Sequence, residues 1–363
     1  MIARTIKDDL LPAIFQAIPL GFLESLTGAN PVVAYYHIVS DNDVPHVKHL
    51  YRFRNVSQFE KDLEVFLKLY KPVGLLDLLR SVNTGKTLPQ HSFHLTFDDG
   101  FRELSDVIAP ILLRKGIPAT FFLASAFLDN KEMALHNELS VLIEHIKRLP
   151  ENRQREINDF LAKHQLDGKD IPTKLLSIIY QRKELVPRIA RFVECDLTGY
   201  LQRTRPYLTS GEVRKLVAQG FTIGAHSIDH PRYSALTLKE QVRQTSESVS
   251  FLRQNFGISC STFSFPHGDS NVASDFFKEI YDRRILDISF GSAGMLKENF
   301  PRHFQRFSPE NSLLPVEPIL RRHYARSLYK RLLGKQVINR TQRANSSSFE
   351  TCPGPRAFIM GGG

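Results

Sequence analysis

Apolar positions along the chain fall into two alternating patterns. Short, almost unbroken apolar runs recur at residues 31–37, 93–97, 119–124, 221–225, 262–265 and 285–290. Each is bounded by polar or turn-forming residues, as expected of short strands, and the run at 119–124 is apolar enough to be buried on both faces. Between the runs, apolar residues return every three or four positions, as in Phe59, Leu63, Phe66, Leu67 and Tyr70, or Leu104, Val107, Ile108, Ile111 and Leu112. That spacing predicts helices. Ser57 to Glu60 and Thr209 to Glu212 read as capping boxes, Thr237 caps a long helix running to about Phe256, and Gly116 and Gly220 read as stops. Strand alternating with helix predicts an α/β fold with a parallel sheet or barrel. From residue 131 to 205 the alternation stops. Leu139, Leu142, Ile143 and Ile146, then Leu175, Leu176, Ile178 and Ile179, keep helical spacing with no strand-like run between them, which predicts a helical insertion.

The chemistry gathers where strand-like runs end. The run at 93–97 stops in Asp98-Asp99-Gly100. Adjacent carboxylates resist joint ionisation, and a cation relieves the repulsion. Later, His226-Ser227-Ile228-Asp229-His230 carries two imidazoles at i and i+4, a spacing that places both on one face of a helical turn. One carboxylate and two imidazoles make three ligands and leave a coordination position open, as catalytic sites require. The second carboxylate is then free to act as a general base. Alone, Asp-Asp-Gly is most simply a turn and the histidine pair a solvated helix face; together, in order and each behind a strand-like run, they point to a metal centre. His37 follows the first strand-like run, where a parallel barrel turns side chains toward its active site. The polar loop at 41–54, with His46, His49, Arg52 and Arg54, suits substrate contacts better than a second metal.

Thr96-Phe97-Asp98-Asp99-Gly100, His226-Ser227-Ile228-Asp229-His230 and Phe263-Ser264-Phe265-Pro266-His267-Gly268 resemble, in order, the first three motifs of the polysaccharide deacetylases with a NodB-homology domain (carbohydrate esterase family 4). The resemblance spans residues 32–307. It implies a distorted (β/α) barrel, with Asp98 as the base, Asp99, His226 and His230 as metal ligands, and the His267 amide as an oxyanion donor. His37, Pro266 and Arg306 are expected on the substrate side. Zinc suits the ligand set, and cobalt, nickel or iron also accept it. The chain departs from the family at Ser264, where many members carry an arginine that orients the base. It contains no tryptophan, so the later motif built on one is missing, and no late Leu-x-His supplies the acid. Arg306 is the candidate replacement for the arginine, and His37 or His303 for the acid. The implied activity is metal-dependent removal of N- or O-acetyl groups from a polysaccharide, oligosaccharide or lipid-linked glycan precursor. A hydrolase of small cyclic amides and a metal-retaining, non-catalytic glycan binder are the alternatives.

Bulk properties then set the surroundings. A chain of 363 residues with 42% hydrophobic content can bury a barrel with additions. The expected organisation is an amphipathic helical segment at 1–30, the barrel at 31–310, a basic amphipathic segment at 311–343 and a disordered tail at 344–363. The net charge is +10 and the pI about 9.5, which favours an anionic partner. The basic excess is concentrated near the C-terminus, where peripheral contact with an anionic membrane is one of two expectations, and no nucleic-acid partner is expected. The alternative for that segment is a helix whose stripe of Leu320, Tyr324, Leu328 and Leu332 docks on the barrel. Three scattered cysteines form no disulfide framework. With no signal peptide or membrane-spanning run recognised, a cytoplasmic location is expected, with contact at the inner membrane face.

Overall fold

Seven parallel strands form a nearly closed barrel in the order β1 (Val32–Tyr36), β2 (Ser92–Phe97), β3 (Ala119–Leu123), β4 (Thr222–Ala225), β5 (Thr262–Ser264), β6 (Ile288–Phe290) and β7 (His303–Phe304). The two-residue strand Lys71–Pro72 adds to β2 outside this path. The ring is completed just past β7, where the Tyr35 amide donates to the Phe307 carbonyl (2.9 Å) and the Phe307 amide to the Val33 carbonyl (3.1 Å). The computed structural model describes residues 18–342. Residues 1–17 of the expected N-terminal segment, and the expected tail, lie outside them.

Strand alternation decides what fills the barrel. From β2, Phe93, Leu95 and Phe97 join the outer core with Phe59, Phe66, Leu104 and Ile108. His94, Thr96 and then Asp98 take the other face. The interior is packed by Val33, Phe122, Ile288 and Phe290. A Cβ at Gly224 would lie 2.5 Å from Phe122 and 2.6 Å from Thr262, so only glycine lets β4 approach this filling. His94 bonds the Val73 carbonyl (2.8 Å) and the Thr120 hydroxyl (3.0 Å). Burial pushes its pKa down to about 4, so it is a neutral structural group.

Helices α1 (Leu20–Thr27), α2 (Val56–Leu69), α3 (Leu75–Thr84) and α4 (Ala109–Lys115) precede the insertion. Within it run α5 (Leu135–Lys147), α6 (Glu151–Lys163), α7 (Ile171–Leu176), α8 (Leu185–Phe192) and α9 (Leu197–Thr204), around a separate core that includes Leu142, Ile157, Leu175 and Val186. Then come α10 (Ser210–Ala218), α11 (Leu238–Phe256), α12 (Ser274–Asp282) and α13 (Val316–Leu332). The capping box at Thr209 and Glu212 forms. The one expected at Ser57 does not. Asn55 caps α2, its side chain accepting from the Gln58 amide (2.8 Å) and its own amide donating to Gln58 Oε1 (3.1 Å), because the helix begins at Val56 and Ser57 already lies in its first turn.

In the basic C-terminal helix the apolar stripe docks on the barrel, the second of the two expectations for this segment. Leu320 and Tyr324 are fully buried in the main core, and the Tyr324 hydroxyl meets that of Tyr70 at 2.9 Å. Only Leu332, at 86% exposure, stays outside. The stripe is occupied by the barrel because α1 and α2 close over it. Among the described residues no helix is long and apolar enough to cross a membrane. Replacing Leu320 by Ala should cost about 2–5 kcal/mol, measured as a lowered urea midpoint. A variant as stable as the parent would mean that the stripe is not docked.

Candidate active site

The C-terminal ends of the strands deliver the site. Past β2, Asp98 continues the pairing through its amide to the Tyr36 carbonyl (2.9 Å). Asp99 and Gly100 then turn through positive φ, +71° and +72°, so consecutive carboxylates find different partners. Asp98 is gripped by Arg306, with Nη1 donating to Oδ1 (2.9 Å) and Nη2 to Oδ2 (2.8 Å). The other guanidinium hydrogens go to Thr96 Oγ1 (2.9 Å), Ser264 Oγ (2.6 Å) and the Gly291 carbonyl (3.0 Å). All five donors are used. Burial opposes ionisation of Asp98, yet Arg306 holds its pKa below the ordinary carboxylate value.

Asp99 faces the histidines. Its Oδ1 lies 3.4 Å from His226 Nε2 and 3.1 Å from His230 Nε2. These three ligand atoms all fall within 4.8 Å of one another. Asp99 Oδ1 is nevertheless buried without a hydrogen-bond partner. His226 Nδ1 donates to the Ser264 carbonyl (2.8 Å), which leaves the Nε2 lone pair for a ligand, as metal-binding histidines are oriented. An orphaned carboxylate oxygen beside the Nε2 atoms of His226 and His230 fits a divalent cation. The expected helical turn at 226–230 is not present. Ser227 and His230 have φ of +69° and +63°. The Ser227 and Ile228 carbonyls accept from the Ser125 (3.2 Å) and Ala126 (2.9 Å) amides, bonds that continue the sheet and exclude a helix.

His37 follows β1, and its backbone amide and Nδ1 both meet the carboxylate of Glu310. Burial would lower its pKa, but Glu310, with Asp99 and Asp98 beyond, carries it up to about 9. The Tyr51 ring lies 4.6 Å from that of His37, and its hydroxyl reaches Asp99 Oδ2 at 3.4 Å. His267, at φ +56°, leaves its backbone N–H without a backbone acceptor among the described residues. Its ring stands 4.5 Å from that of His230 and 4.7 Å from that of His136, which comes from α5 of the insertion.

Three expectations change. Arg306 is 1% exposed with every donor taken, so it grips Asp98 and has no donor left for a substrate. Pro266 is buried and shapes the loop carrying His267. His303 is not available as an acid: it bonds Ser289 (2.7 Å) and Asp269 (3.0 Å) in a buried cluster where Arg340, 2.6 Å from Glu298, already supplies the cation. Glu310, Tyr51 and His136 went unrecognised in the sequence, since each is a single residue without a motif around it.

The profile of the family described as polysaccharide deacetylase matches residues 85–168 and 187–279. Over these residues, which carry all three motifs, the chain is similar to this family. The similarity places it among hydrolases of non-peptide carbon–nitrogen bonds. No curated protein matches it by sequence. Among solved structures, the Streptococcus pyogenes deacetylase PplD superposes with a TM-score of 0.52 at 12% identity, over 80% of this chain and 97% of that one. IcaB from Ammonifex degensii gives 0.49 at 14%, over 81% and 96%. The Aggregatibacter actinomycetemcomitans de-N-acetylase gives 0.48 at 15%, over 80% and 98%.

Replacing His226 or His230 by Ala should abolish stoichiometric metal, because two protein ligands rarely hold a catalytic ion. Elemental analysis of the purified variants checks this, and full occupancy in both would remove the site.

Proposed function

We propose that the protein removes the N-acetyl group from an amino sugar of a polysaccharide, oligosaccharide or lipid-linked glycan precursor, with zinc the best-suited metal on Asp99, His226 and His230. The observation that carries this reading is the division of labour between adjacent carboxylates. One is fixed and ionised by Arg306, and the other converges with two imidazoles. A divalent cation held there would lower the pKa of a water and polarise an acyl oxygen. Asp98 takes the proton of the attacking water, its orientation held by the two Arg306 bonds. The unpartnered His267 amide donates to the developing oxyanion, a contact worth on the order of 3 kcal/mol. His37, kept protonated by Glu310, gives a proton to the leaving nitrogen. An amine departs far less readily than an alkoxide unless protonated, which favours the N-acetyl over the O-acetyl substrate. A binding-only barrel would have no use for an ionised carboxylate fixed in this way.

Acetate release from N-acetylated oligosaccharides, with and without added zinc, tests the reading; no release with any divalent metal ends it. Asp98→Asn should keep its metal and lose about a hundred- to ten-thousand-fold in kcat. A variant hydrolysing near the parent rate would show that the base is misassigned.

The pH profile separates the two groups. Activity requires Asp98 deprotonated, so it falls only as pH drops below the ordinary carboxylate range. It requires His37 protonated, so it also falls as pH rises through about 9. His37→Gln should lower kcat and remove the alkaline limb, and an unchanged limb would exclude His37 as the acid.

A further inference from the structure

Tyr51 and Glu310, which enclose His37, also form one wall of an open cleft of about 340 Å³. That volume lies at the lower end of the range for ligand sites. Tyr51, Phe53 and Leu313 line it, and Leu313 is 76% exposed. They offer aromatic and aliphatic surface of the kind on which the C–H face of a pyranose rests. The charges around it are mostly spoken for. Glu310 is paired with His37, Arg54 with Asp62 at 2.9 Å, and Lys48 with both Asp43 (2.8 Å) and Glu144 (2.9 Å). Arg52 is exposed and, among the described residues, has no carboxylate partner. On the histidine side of the site Arg232 is likewise exposed, and its charge acts on His136 and His267. An uncompensated guanidinium over apolar surface matches an oxyanion carried by a sugar, because its fork of donors fits carboxylate and phosphate alike.

We infer that this cleft is a subsite for a sugar unit bearing an anionic group, carboxylate or phosphate, next to the acetylated residue, with Arg52 as the group that selects it. The inference rests on the deacetylase reading of the adjoining site.

Calorimetric binding to the Asp98→Asn protein, which should not turn substrate over, tests it with two matched pairs of probes. The first sets chitotetraose against a tetrasaccharide alternating N-acetylglucosamine and glucuronic acid. The second sets N-acetylglucosamine against its 1-phosphate. In at least one pair the anionic member should bind about tenfold more tightly at low salt, and the advantage should shrink as salt rises. A preference confined to the first pair identifies an acidic polymer, and one confined to the second a phosphorylated precursor. Arg52→Gln should bring the preferred ratio to within about twofold, with Arg52→Lys recovering part of it. No preference in either pair, or one that survives Arg52→Gln, overturns the inference. Loss of binding by equal factors for neutral and anionic probes does so too. Should the parent enzyme release no acetate while the Arg52-dependent preference persists, the deacetylase reading alone fails.

Discussion

The site depends on the ion pair between Asp98 and Arg306. The base proposed for this site must be ionised, yet Asp98 sits inside a barrel mouth where burial opposes charge. The guanidinium resolves the conflict with two bonds to the carboxylate and three to surrounding oxygens. The rings of Tyr35, Phe122 and Phe290 surround it at 4.6, 5.6 and 5.9 Å, so it is held by packing as well as by polarity. Removing one partner of a pair buried like this typically costs about 3–5 kcal/mol, mostly because the other charge is left alone. Ser264 belongs to the same arrangement. Its small hydroxyl links Asp98 Oδ2 (3.2 Å) to Arg306 Nη2 (2.6 Å). A bulkier residue there would compete for the space that an arginine from another part of the chain now fills.

The barrel and the residues that converge on Asp99 were legible in the sequence because their signals are local. Strand-like runs end in polar residues, and Asp-Asp-Gly and the histidine pair each fit within a few positions. What supports them was not legible. Glu310 meets His37 across 273 positions, and nothing in either neighbourhood announces the other. Arg306 was noticed, but its burial, which decides between touching substrate and orienting the base, is a property of the closed barrel. The loop at 226–230 departs from the expected helical turn for a different reason. A four-residue spacing of imidazoles suits a helix and equally suits a loop whose φ turns positive at both ends, and only the bonds from Ser125 and Ala126 distinguish them.

The helical insertion is tied into this machinery at several points. Asp229, between the two histidines, bonds Tyr180, Lys183 (3.1 Å) and Gln244 (2.8 Å). Asn137 of α5 bonds the His46 carbonyl (2.8 Å) and the Tyr207 hydroxyl (2.7 Å), and His136 stands beside His267. A segment with its own core thus supports the loop of the second motif and borders that of the third. Changes in its helices would be felt as shifts of the imidazoles.

Asp98 and Arg306 are 208 positions apart, which has a consequence for how the chain is made. The carboxylate leaves the ribosome long before its counter-charge exists. A nascent chain holding only the first four or five strands would have an unpaired sheet edge and a carboxylate with no cation to accompany it inside. Closing early is therefore unfavourable, and the barrel seals when the segment after β7 arrives, bringing both the missing backbone partner for β1 and the guanidinium. The pair that fixes the Asp98 carboxylate thereby ties its ionisation to closure of the barrel.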